Sequence, residues 1–90
     1  MVGRKEKPVR VKFHYHTLQI VPFPLKPGSG IKIRVEELEA MRLVDLLGKK
    51  QEEAAREMGC SRSKVARLLK CARSKLIRAI VEGKMMFVVH

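Results

Sequence analysis

The 90-residue chain has no tryptophan, one tyrosine and three phenylalanines. So little aromatic surface argues for an aliphatic core and against a protein that stacks single-stranded bases on exposed rings. It holds two cysteines, Cys60 and Cys71. If the segment after Cys60 is helical, the two lie about 16 Å apart along it, beyond the roughly 7 Å that a disulfide spans. Two cysteines so placed do not make a zinc site either. No apolar stretch approaches the roughly 20 residues of a membrane-spanning helix, and no signal-type apolar region follows the basic start MVGRKEKP. A cytoplasmic protein without membrane attachment is expected. Acids are scarce as well: nine Asp and Glu stand against twenty Lys and Arg, a formal net charge of +11. Such an excess is costly to confine unless a polyanion relieves it, and nucleic acid is the expected polyanion. No serine–histidine–acid arrangement, phosphate loop or carboxylate pair facing a histidine is present, and a chain this short has little room for a substrate pocket. The expectation is a protein that is not an enzyme and carries no cofactor.

What is present is concentrated in residues 51–70, QEEAAREMGCSRSKVARLLK. The window has helix-turn-helix spacing. Ala54, Met58, Cys60, Val65 and Leu68 are apolar where two crossed helices touch, and Ala55 is small where they approach closely. Gly59 falls where the connecting turn needs positive φ, and Ser61 can cap the next helix. A generic amphipathic helix does not place a small residue, a glycine and a cap in this order. The window points to a module that lays a helix on double-stranded DNA.

Around this window the chain divides into a basic arm and extended lead-in (residues 1–34), a helical body (35–83) and a closing strand (84–90), together one structural domain. Residues 1–8 read as a mobile basic arm. Residues 9–16 alternate strictly, with Val9, Val11, Phe13 and Tyr15 on one face, which predicts a half-buried strand. The segment VPFPLKPGSG is too proline-rich for a helix. Ile31, Ile33 and Val35 alternate with Lys32 and Arg34 as a second short strand. A first helix is predicted over 35–47, with Ala40, Leu43, Val44 and Leu47 as its buried stripe, Glu36, Glu37 and Glu39 serving the helix dipole, and Gly48 as its stop. A second spans 51–58 and a third runs from after Ser61 to 82, ended by Gly83. The MMFVV run reads as a last strand, pairing with the N-terminal strand of the same chain or of a second copy. The fold class is mainly α, a three-helix helix-turn-helix domain with short terminal β-strands.

With Val65 at zero on a helical wheel of about 100° per residue, Leu68, Leu69, Ala72, Leu76, Ala79 and Ile80 fall within about 60° of it and form the core face. Ser63, Arg67, Lys70, Ser74 and Arg78 lie opposite, and no acid occurs between Gly59 and Val81. The start of a recognition helix reads base edges, so Ser61, Arg62, Ser63, Lys64 and Arg67 are the candidates, with Arg62 and Arg67 suited to guanine O6 and N7. Lys64, Lys70 and Arg73 suit phosphates, as do Gln51 at the start of the second helix and its neighbours Lys49 and Lys50. Ile77 and Val81 fall on the outer side, where a second subunit or the terminal strands would cover them, and a homodimer on paired half-sites is expected.

The stretch VEELEAMRLVDLLGKKQEEAAREMGCSRSKVARLLKCARSKLIRAIVEGK strongly resembles the UPF0251 (DUF134) family of predicted DNA-binding proteins. The resemblance covers about residues 31 to 84 and rests on the ELEAMRLVDLLG and QEEAAREMG helices, the Ser61-Arg62 pair and the run from Cys71 to Lys75 before the closing EGK. More distantly the window looks like region 4 of sigma-70-type factors, which implies that fold and a role in transcription. Two positions depart from the pattern: Lys50 stands where a small capping residue is usual, and Lys64 where threonine is common.

Two other readings compete. An RNA-binding protein would prefer RNA over duplex DNA in competition, and a protein-interaction module would hold the transcription machinery after nuclease treatment. His14 and His16 share a strand face and His90 ends the chain, but with no further ligand cluster they read as polar surface rather than a metal site. Cys71 shares its side of the third helix with Lys64, Arg67, Lys75 and Arg78. A redox-sensing thiol is weaker there than a partly buried small hydrophobe.

Overall fold

Alternation of apolar and charged residues makes 31–34 a strand with one buried face. In the structure, a computed structural model that describes residues 9–12, 19–20 and 30–89, this is β2 (Ile31–Arg34). Ile33 is buried, and Lys32 and Arg34 are exposed. β1 (Gln19–Ile20) precedes it and β3 (Met86–Val89) closes the chain. The sheet order is β1-β3-β2. β3 pairs antiparallel with β1 and parallel with β2, from Ile31 opposite Met86 to Arg34 opposite Val89. A parallel pair needs a long crossover, and here it contains every helix of the described residues.

Helix α1 (Val35–Met41) starts on the last residue of β2, where the Glu37 carboxylate accepts the backbone N–H of Arg34 at 2.8 Å. It runs on into a π-helical turn, Arg42–Leu46. The Leu47 N–H reaches back to the Arg42 carbonyl at 2.9 Å, five residues earlier. The sequence pattern assumes a uniform α-helix and puts Leu47 in the buried stripe. The wider π turn rotates the chain instead, leaving Leu46 75% and Leu47 52% exposed while Ala40 and Leu43 stay buried. Helix α2 (Gln51–Met58) and helix α3 (Arg62–Glu82) have the expected bounds, and α3 stops at Gly83.

Two apolar clusters hold these elements. Ala40, Leu43, Ala54, Ala55, Met58, Val65, Leu68 and Leu69 join α1, α2 and the first half of α3. Ile33, Ala72, Ala79, Met86 and Val88 join the sheet to its second half, and Met41 packs against both clusters. The sheet lies over the Ala72, Leu76 and Ala79 side of α3, so Ile80, expected in the core face, sits at its edge and is 63% exposed. Ile77 and Val81 are exposed, as the wheel predicts.

The expected strand over residues 9–16 is not formed where the chain is described. Residues 9–12 dock on the helices: the Arg10 N–H donates to the Met58 carbonyl at 2.6 Å and the Lys12 N–H to a Glu39 carboxylate oxygen at 2.9 Å. Val11, expected on a buried face, is exposed, while Val9 packs against the helical cluster. Residues 13–16, the proline-rich segment up to residue 29, the first eight residues and His90 lie outside the described residues.

The early acids of α1 do more than serve its dipole. Glu37 and Glu39 are buried. Both Glu37 oxygens accept from the Lys75 ammonium, at 2.8 and 3.1 Å, which ties α1 to α3. Glu39 holds the Arg42 guanidinium at 2.9 and 3.2 Å.

Candidate nucleic-acid interface

The start of α3 is presented by three local devices. Gly59 takes φ 67°, a left-handed conformation that glycine adopts without a Cβ clash, and this lets the chain leave α2 and turn at once. Ser61 is the N-cap, its Oγ accepting the Lys64 N–H at 3.0 Å. Val65, Leu68 and Leu69 then bury one side of the helix and fix its rotation. As a result Ser61, Arg62, Ser63, Arg67 and Lys70 are exposed, and Lys64 is half-buried. Among the described residues no carboxylate pairs with Arg62, Arg67 or Lys70.

The remaining expected contact residues are more constrained. Arg73 forms a two-pronged ion pair with Asp45, at 2.7 and 3.1 Å, which raises the guanidinium pKa further. Lys49 bonds Glu57 at 2.5 Å, and chiefly through that bond the Glu57 carboxyl is held below its ordinary range. Lys50 is exposed, and its side chain does not cap α2; the Glu53 carboxylate accepts the Lys50 N–H at 2.8 Å and satisfies the helix start instead. Gln51 is half-buried at the first position of α2.

The docked segment 9–12 adds a contact that local sequence does not reveal. The Arg10 guanidinium donates to the carbonyls of Arg56 at 2.6 Å and Glu57 at 3.1 Å. A cation there meets the negative end of α2, next to the turn into α3.

Both cysteines are free thiols, Cys60 half-buried under the turn and Cys71 exposed. Burial raises the Cys60 pKa. Two open grooves meet at Cys71. One, of about 300 Å³, is lined by Arg34, Lys64, Arg67 and Leu68 as well as Cys71. The other, of about 310 Å³, is lined by Lys70, Ser74, Lys75 and Arg78 as well as Cys71. Lys75 and Arg78 share the Cys71 side on the wheel, so their presence is legible in the sequence. Arg34 comes from β2, and no local signal in the sequence brings it beside α3.

The family described as "Protein of unknown function DUF134" matches the chain over residues 1–90. A UPF0251 protein of Pyrococcus furiosus is 37% identical over 90 residues, covering 97% of this chain and 83% of the relative. One from Pyrococcus horikoshii is 39% identical over 74 residues, 82% of this chain and 67% of the relative. One from Halothermothrix orenii is 44% identical over 63 residues, 70% of this chain and 47% of the relative. The chain thus spans about half to two thirds of the length of several of these relatives. No solved structure matches it significantly. Matched along its whole length, with relatives near 40% identity, the chain belongs to the UPF0251 (DUF134) family.

Proposed function

We propose that this protein binds duplex DNA with the first half of α3 in the major groove and acts in transcription, in the manner of sigma-70 region 4. The observation that carries the reading is the acid-free, exposed start of α3, held away from the core by the Gly59 turn and the Ser61 cap. Arg62, Ser63 and Arg67 reach base edges, Lys64 and Lys70 take phosphates, and the start of α2 at Gln51 takes another. Arg73 and Lys49 reach phosphates only by exchanging Asp45 and Glu57 for them, so their contributions are smaller than those of exposed, unpaired cations. The role is binding and not catalysis. Two copies on a two-fold site are part of the proposal, with the exposed Ile77, Ile80 and Val81 at the far end of α3 available to meet.

Selection of bound sites from a random duplex pool tests this directly. A defined motif is expected, with palindromy if two copies bind. Replacing Arg67 by alanine is expected to weaken binding to the selected site by about 1–3 kcal/mol and to relax one base position. Affinity is expected to fall with salt, each neutralised phosphate adding roughly 0.9 to the log–log slope. Preference for RNA in mixed competition, or a flat salt dependence, would overturn the reading.

A further inference from the structure

The two sides of α3 that flank its proposed groove-facing surface are chemically unlike. On the wheel with Val65 at zero, Lys64, Arg67, Cys71, Lys75 and Arg78 fall in a strip about 80° wide on one flank. At 1.5 Å per residue this strip runs about 21 Å from Lys64 to Arg78. The other flank carries Lys70 and Arg73, with Arg62 at its margin, but turns apolar at Ile77 and Val81, with Ile80 at its margin. One flank is therefore cationic along its length, and the other only as far as Arg73.

On the cationic flank the side chains line hollows. Arg34 reaches over from β2, so the first groove is walled by two secondary-structure elements, with guanidinium groups from both. Arg34 and Lys75 are both held by the buried Glu37, at 3.5 Å and 2.8 Å, so their charged ends are placed by the core and are not free to wander. Guanidinium forks suit phosphate oxygens, and ammonium groups supply charge. Neither groove is closed over, which suits a strand passing across the surface better than an enclosed small molecule. The DNA major groove is about 12 Å wide and a helix with its side chains about 10–12 Å across, so the flank groups beyond the first turns of a seated helix, here Cys71, Lys75 and Arg78, meet the phosphate wall, while Arg67, at the strip's margin next to the groove-facing surface, keeps its base edge.

We infer that the two grooves meeting at Cys71 form a phosphodiester track for one strand of the bound duplex, with Arg34 of β2 as a contact contributed from outside the helix-turn-helix segment. This rests on the duplex-binding reading above and adds to it the strand's path and three further cations: Arg34, Lys75 and Arg78. The acids beside the track, Glu36, Glu37 and Glu82, already hold part of this charge, so phosphates compete with them. Each of the three cations then contributes less to the salt slope than an unpaired one.

Cys71 serves as a native reporter, because it is the exposed wall common to both grooves. The intact protein is treated with N-ethylmaleimide with and without a saturating selected duplex, and alkylation of Cys71 and Cys60 is followed by peptide mass spectrometry. Fluorescence anisotropy on the same samples reports whether the duplex is bound. Bound duplex is expected to slow Cys71 alkylation by about tenfold or more relative to Cys60, since its thiol would lie against the phosphate wall. Arg34→Gln is expected to weaken binding about 3- to 10-fold uniformly across sequences and to lower the salt slope by at most about 1. Arg78→Gln, on an exposed residue paired with Glu82 alone among the described residues, is expected to act in the same direction and covers the case in which the Arg34 variant fails to fold. Bound duplex with unchanged Cys71 alkylation overturns the track, as do folded variants with unchanged affinity and slope. Absence of an anisotropy change for any duplex instead overturns the parent reading.

Discussion

At the scale of single residues, charge partners decide what each cation is able to do. Lys75 neutralises Glu37, whose side chain is 1% exposed, so its removal leaves a buried carboxylate short of two hydrogen bonds. Lys75→Met is expected to cost about 1–3 kcal/mol of stability, read from urea denaturation. Glu57 is the opposite kind of case, a surface acid whose pKa is lowered by the Lys49 hydrogen bond. A depressed carboxyl pKa gives stability that is full above the ordinary carboxylate range and is lost as pH falls through the lowered value. An NMR titration of the Glu57 side chain is expected to show the low value, and Lys49→Gln is expected to move it upward. None of these partnerships was legible in the sequence. Residues 37 and 75, or 34 and 71, become neighbours only after the helices cross, whereas a local pattern reports separations of a turn or two.

At the scale of elements, the segment from Gln51 to Glu82 was legible almost to the residue, because each boundary has a chemical marker: acids at the start of α2, Gly59, Ser61 and Gly83. Gly59→Ala is expected to destabilise the protein by about 1–2 kcal/mol, since an L-residue is forced into the left-handed region at φ 67°. The added Cβ would also come within 3.0 Å of the docked Arg10 guanidinium. Urea denaturation measures the cost, and an unchanged midpoint would remove the turn strain from the account. The π turn at Arg42–Leu46 was not legible, since a change of helical pitch leaves no mark in residue type. It moved Leu47 out of the stripe that a uniform period assigns to it. The docking of residues 9–12 was hidden for a similar reason: VRVK alternates like a strand, yet its backbone partners are a helix end and a buried carboxylate.

At the scale of the whole molecule, the net charge of +11 couples stability to anions. A duplex at 100 times its Kd is expected to stabilise the folded state by about 2.7 kcal/mol, which a thermal-shift series at fixed ionic strength would detect. A Tm unmoved by saturating duplex would contradict binding to the native form. The mainly helical class was legible from periodicity, and so were the strand at 31–34 and the closing strand, whereas β1 was not read and the strand expected from residue 9 is not formed where the chain is described. The strand order was not, because pairing partners 55 positions apart carry no mutual signature (Ile31 with Met86).

That order has a consequence for how the molecule comes into being. During synthesis β2 emerges long before β3, the strand that lies between it and β1. Until the ribosome has delivered Met86 to Val89, β2 has no ladder to join, and Ile33, Ala72 and Ala79 lack part of their cover. The helical cluster around Val65 needs nothing beyond Leu69 and is able to assemble earlier. The nascent chain is thus expected to carry a formed turn between α2 and α3 while one side of α3 is still bare, and the arrival of β3 seals it.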